Sequence, residues 1–147
     1  RPMARTTSGV RGMRFRGDDE MLAMEVVDPD DDLLVVTEGG YAKRTPLSEY
    51  RVQGRGGLGV KVADLDPERG ALVGALVTDP DEEIMAVMES GKVIRVSVAD
   101  VRPTGRATKG VILTRTDEDD KVLAITRTGD PQVGSDQNGS DEENSDD

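Results

Sequence analysis

The sequence predicts an all-β fold built from repeated units of four short strands. Three observations predict it. The chain of 147 residues matches itself at an offset of 51 positions, with Arg44 over Arg95, Arg51 over Arg102 and Gly59-Val60 over Gly110-Val111. The matching stretches are short, β-branched apolar runs that stop at glycine turns. Only Phe15, Tyr41 and Tyr50 are aromatic, so a core must be built from Val, Leu, Ile, Met and Ala. Four strands in ~50 residues is the period of one propeller blade, typically ~40–50 residues. Two full units and a half unit are present where rings usually need ~4–8 blades. The chain therefore reads as about two and a half blades from the C-terminal part of a larger ring.

The elements follow in order. Leu33–Val36 is an apolar run ending at Glu38-Gly39-Gly40, and Tyr41–Thr45 returns from that turn as a hairpin. Val60–Val62 and Leu72–Val77 read as two further strands. Ile84–Met88 ends at Ser90-Gly91, after which Ile94, Val96 and Val98 alternate with polar residues as a half-buried strand would. Val111–Leu113 and Val122–Ile125 complete the last unit. Asp81–Gly91 also has a helix-like Asp start and Gly stop, but its counterpart Asp30–Gly40 is too β-branched and too short for a helix, so a strand is preferred. A third copy of the joint between units lies upstream, where Arg5-Thr6-Thr7-Ser8-Gly9-Val10 matches Arg106-Ala107-Thr108-Lys109-Gly110-Val111. The units run over 1–58, 59–109 and 110–127, with a tail at 128–147.

Thirty acids against nineteen bases give a net charge of −11, but the signs are segregated. The tail carries seven acids, no base and Val133 as its lone aliphatic, so it is expected to be disordered. Basic blocks occupy residues 1–16, 41–61 and 92–115. They recur at one phase of the repeat, which in a ring puts them on one side. Without Cys or His there is no thiol chemistry, iron–sulfur cluster, Cys-type zinc site or imidazole base. No apolar run reaches the ~18 residues of a membrane span and no signal peptide opens the chain, so a cytoplasmic protein with no membrane partner is expected. The acidic stretches Asp28–Asp32 and Asp79–Glu83 lack the Gly and terminal Glu of a calcium loop and are read as solvated turns. No metal site and no catalytic residue is expected in the chain. Tyr41 and Tyr50 do not recur at the repeat and are read as packing residues.

Gln53-Gly54-Arg55-Gly56-Gly57-Leu58-Gly59 is the most distinctive segment. It lacks the Gly-Lys-Ser/Thr of a phosphate loop and the strand–helix context of a dinucleotide fingerprint. Its glycines suit a tight strand connection, and Arg51, Arg55 and Lys61 around it suit a phosphate chain. The segment resembles the Gln-Arg-Arg-Gly-Gly-Lys-Gly box of the C-terminal DNA-wrapping domain found in the A subunit of DNA gyrase. Leu33–Gly40 with the following Lys43-Arg44-Thr45-Pro46, the joint Gly105–Val111 and the acidic tail resemble the same family. Gly54 and Leu58 stand where the family box has Arg and Lys, and the segment is similar to a second, variant box of some actinobacterial gyrases.

The resemblance implies a six-bladed β-pinwheel whose neighbouring blades exchange strands, with duplex DNA bent around a basic rim. The residues expected to line that rim are Arg5, Arg11, Lys43, Arg44, Arg51, Gln53, Arg55, Gly56, Gly57, Lys61, Arg95, Arg102, Arg106 and Lys109. It also implies the rest of the gyrase A subunit and the gyrase B subunit as partners. ATP and magnesium would act elsewhere in the holoenzyme, to supercoil DNA negatively near the bacterial nucleoid. Two alternatives stand beside this reading, the C-terminal domain of the topoisomerase IV A subunit and a protein-binding propeller with no DNA role. The tail is long enough to lie across the rim and compete with DNA.

Overall fold

The computed structural model describes residues 2–117 and 119–128, so the acidic tail, apart from Thr128, lies outside the described residues. Seven strands are present there: β1 Asp32–Thr37, β2 Tyr41–Pro46, β3 Leu72–Thr78, β4 Glu83–Met88, β5 Val93–Ser97, β6 Val111–Ile112 and β7 Val122–Arg127. They form a four-stranded sheet in the order β3-β1-β2-β6 and a three-stranded sheet in the order β5-β4-β7, all antiparallel. The helical alternative at Asp81–Gly91 is excluded, because Ile84, Met85 and Ala86 pair with Val96, Arg95 and Ile94 of β5. Tertiary pairing overrides a weak helix start. Three-residue 3-10 turns, not foreseen, follow β2 at Leu47–Glu49 and β5 at Val98–Asp100.

The repeat is physical, down to individual hydrogen bonds. Leu47 N donates to Asp31 O at 3.0 Å, and its counterpart Val98 N donates to Glu82 O at 3.0 Å. The ladder slips at Val36/Thr37 in the first sheet and at Val87/Met88 in the second. Each sheet is completed by strands from further along the chain: β3 and β6 join the β1–β2 hairpin, and β7 joins β4–β5. Val60–Val62, expected as a strand, is not one. Its backbone enters no ladder among the described residues, and an extended segment without a ladder is not a strand.

The two sheets stack through Leu34, Val36 and Ala42 of the first and Ile84, Ala86, Met88 and Val122 of the second, all fully or nearly fully buried. Each such side chain contributes about 1.5–3 kcal/mol on leaving water. Stacking covers the apolar face that each small sheet would otherwise leave in water. The approach is close: a Cβ built on Gly74 of β3 would sit 2.4 Å from Cγ1 of Ile125 on β7. The other face of β1, with Leu33 and Val35, looks into a shallow apolar groove shared with Met13, Phe15, Met21, Leu22 and Leu58. The N-terminal segment crossing it is tied down by Glu25, whose Oε2 lies 3.3 Å from Arg127 Nη2.

Candidate nucleic-acid interface

The basic residues sit mainly on the three joints, which share one backbone shape. Gly9, Gly59 and Gly110 turn each joint in the left-handed region, with φ of 75°, 80° and 80°. Successive joints touch through the backbone. Gly56 N donates to Gly12 O at 2.7 Å and Arg14 N donates to Gly57 O at 2.8 Å, so the second joint rests on residues just after the first. Asp64 N donates to Thr108 O at 3.2 Å, so the third rests on residues just after the second. The third joint is also fixed to the outer edge of β2, where Thr104 N donates to Arg44 O at 2.8 Å and Val111 pairs with Ala42.

This stacking brings cations from different units together. Arg51 and Lys61 of the second joint and Arg106 of the third line one open cleft with Glu49 and Val60. Arg5, Arg11, Arg51, Arg55 and Arg102 are exposed and Arg106 is half-buried, and none of the six makes an ion pair among the described residues. Gln53 is exposed beside them. Lys61, Lys109 and Arg95 do have partners: Asp64 at 2.7 Å, Asp66 at 3.1 Å and Glu83 at 3.4 Å. Lys61 holds the Asp64 carboxyl below its ordinary range by hydrogen bond and charge, and Lys109 does the same to Asp66. Such exposed pairs are weak in water, so a phosphate can displace either carboxylate.

Three expected contacts are corrected. Lys43 is 3% exposed and Arg44 is 5% exposed, so neither reaches an outer rim. Lys43 Nζ donates to Val62 O at 2.5 Å and to Arg106 O, gripping the second and third joints from inside. Burial, then the nearby Arg106 charge, lowers its pKa below the ordinary lysine value. Arg44 donates from Nη1 to Val98 O at 3.1 Å and lies 3.2 Å from Asp32 Oδ2. Gly56 cannot offer its N–H to a phosphate, because Gly12 O already accepts it. Gly57 and Gly56 instead present their carbonyls to Arg14, whose Nε donates to Gly56 O at 2.7 Å.

Sequence reasoning missed two supporting residues. Arg14 braces the box from the N-terminal segment. Arg69 donates to Lys109 O at 2.5 Å while its guanidinium stacks 4.1 Å from the Tyr41 ring centroid, so it fixes the third joint. Arg14 stood within the first basic block, but Arg69 lay outside every block and carried no signal. The box ends Gly59-Val60-Lys61, and no group of three or more carboxylates among the described residues is arranged to hold a metal.

Sheets of one pattern, stacked face to face and trading strands, with successive charged joints in backbone contact, define a blade-repeat protein of the propeller class. The sequence profile described as the DNA gyrase C-terminal domain, beta-propeller, matches residues 1–28, 31–79 and 81–128. The chain belongs to that family. It is 54% identical over 129 residues to the DNA gyrase A subunit of Mycolicibacterium smegmatis, covering 88% of this chain and 15% of that protein. The DNA gyrase A subunit of Streptomyces coelicolor is 53% identical over 130 residues, with the same coverage of 88% and 15%. The chain thus spans about a sixth of the length of these relatives. Among solved structures, the C-terminal domain of DNA topoisomerase IV superposes with a TM-score of 0.73 at 22% identity, over 80% of this chain and 37% of that one. A DNA gyrase A C-terminal domain superposes with a TM-score of 0.62 at 28% identity, over 65% and 33%.

Proposed function

We propose that the stacked joints form a track for the backbone of duplex DNA, and that the chain serves the A subunit of DNA gyrase by wrapping DNA. The convergence of Arg51, Lys61 and Arg106 from two successive units in one open cleft carries this reading. Two arginines with no carboxylate partner and one lysine with a weak one suit bidentate and point contacts to phosphate, with little base readout. Bending a 20–30 base-pair segment costs on the order of 1–6 kcal/mol, so several contacts per unit are needed to offset it. In the holoenzyme, with the remaining gyrase A and gyrase B polypeptides, the wrap would present a DNA crossing for ATP-driven negative supercoiling in the bacterial cytoplasm.

Salt titration of duplex binding by fluorescence anisotropy tests the proposal. Each phosphate contact contributes roughly 0.9 to the log–log slope, so Arg55→Ala and Arg106→Ala should each lower it by about that amount. Removing one phosphate contact shrinks the affinity ratio between ~50 and ~200 mM salt about three- to fourfold. Binding insensitive to salt, or slopes unchanged in both variants, would favour a protein-binding role for these blades.

A further inference from the structure

At Lys43 the charged joints of two units are held by a single nitrogen. Its Nζ donates to Val62 O at 2.5 Å and to Arg106 O. Val62 directly follows Lys61, and Arg106 O is that arginine's own carbonyl, so one ammonium fixes the backbone beside two of the three cations of the cleft. A second tie, from Asp64 N to Thr108 O, is longer at 3.2 Å and lies two residues further along each joint.

The strand itself does not ask for this amine. One repeat later the position is Ile94, and β5 pairs with β4 in the same register as β2 with β1. Burying an ammonium is costly unless hydrogen bonds replace its water, and Lys43 is 3% exposed. The carbonyls that supply those bonds belong to the joints and not to the sheet. The Lys43 ammonium and the Arg106 guanidinium also repel, the second reason after burial that this lysine titrates low. That repulsion disfavours the arginine folding back over the joint and favours it on the open side. Arg55 makes the comparison. It stands on the second joint as well, but its loop is fixed elsewhere, since Gly56 N donates to Gly12 O and Arg14 Nε holds Gly56 O.

We propose that Lys43 is a positioning residue for the duplex-binding cleft, setting the spacing of Lys61 and Arg106 from beneath so that both reach phosphates of one backbone at once. The proposal rests on the phosphate-track reading above and adds to it a residue that never touches DNA. Two cations already held at a fixed separation bind without ordering their backbone afresh, which is the advantage of preorganisation.

A double-mutant cycle on the 147-residue chain tests this. The readout is the log–log salt slope of duplex binding by fluorescence anisotropy, at a temperature where melts show each variant folded. Lys43→Met keeps an apolar stem and removes the donors. It should lower the slope by one to two phosphate contacts, roughly 0.9–1.8. In that background Arg106→Ala should remove less than half of the roughly 0.9 it removes alone, because its contact is already lost. Arg55→Ala should still remove all of its own. Where Lys43→Met does not stay folded, Lys43→Gln, which keeps an amide donor, takes its place in the same cycle with the same non-additivity expected. Full additivity between Lys43 and Arg106 would overturn the proposal, as would an unchanged slope in the lysine variant. Equal shrinkage of the Arg55 and Arg106 effects would overturn it too, since that marks a general loosening of the fold. Failure of the DNA reading has a different signature: the unaltered chain would show no salt-dependent binding, and the positioning role would fall with it.

Discussion

Replacing Gly74 by Ala should destabilise the fold, and the sign of the effect tests whether the two sheets stack as described. Gly74 lies in the middle of β3 and its φ is not positive, so the backbone accepts Ala. In a strand free of tertiary contact, Gly→Ala stabilises by about 0.5–1 kcal/mol, because glycine loses more freedom on folding. Here the new methyl would lie 2.4 Å from Ile125 Cγ1 and 2.9 Å from Cδ1. Ile125 is β-branched and stiff at χ1, so the sheets must part or the rotamer must strain, at a cost of about 1–3 kcal/mol. The net expectation is a loss of about 0.5–2 kcal/mol in urea unfolding. In an Ile125→Ala background the obstacle is gone, and the same substitution should become neutral or stabilising. A stabilising Gly74→Ala in the otherwise unchanged chain would refute the face-to-face stack.

Further outcomes follow from other contacts. Gly40→Ala and Gly91→Ala both place a side chain in the left-handed region at about 1–2 kcal/mol. Gly40→Ala should cost at least about 1 kcal/mol more in thermal or urea melts, because its Cβ meets the Thr114 backbone. Lys43→Met should destabilise at neutral pH by leaving Val62 O and Arg106 O without their buried donor. Its folded pKa lies below the ordinary 10.5, so the unfolded chain binds more protons between the two values. Wild-type stability therefore gains from this group as pH rises through that window, and the gap to Lys43→Met should widen in paired melts at neutral and alkaline pH. Asp120, held below the ordinary 3.8 by hydrogen bonds from the Ser90 hydroxyl and N–H, stabilises above that value and loses the effect as pH falls through its folded pKa. Asp120→Asn should therefore be less stable at neutral pH and converge with wild type in acid melts.

The strands were legible because period and composition agree: an apolar run, a glycine turn and an alternating return, twice over. Strand partners were not legible, since which edge accepts Val111 depends on a Gly40–Ala42 edge about seventy residues upstream. The basic joints were readable as a recurring phase, and the structure places them side by side. Lys43 and Arg44 misled because a charged residue in a hairpin reads as solvent-facing. A signal was nevertheless present, as Lys43 lies over Ile94 in the repeat, an apolar residue that marks an inward position. Arg44 and Asp32 likewise recur as Arg95 and Glu83, the mark of a structural ion pair rather than a ligand contact. Val60–Val62 had the composition of a strand, but composition does not supply a neighbour.

Sharing strands across units sets the timetable of synthesis. The β1–β2 hairpin emerges before β6, and 69 residues separate Ala42 from its partner Val111. At ~5–20 residues per second the ribosome leaves that hairpin edge bare for roughly 3–14 s, far longer than the ~1–10 μs a hairpin needs to form. During that interval the nascent chain exposes the kind of open ladder that neighbouring polypeptides can extend. The polar segment Ser48–Gly59, already translated and sparing in aliphatic residues, is then the nearest material to shield it.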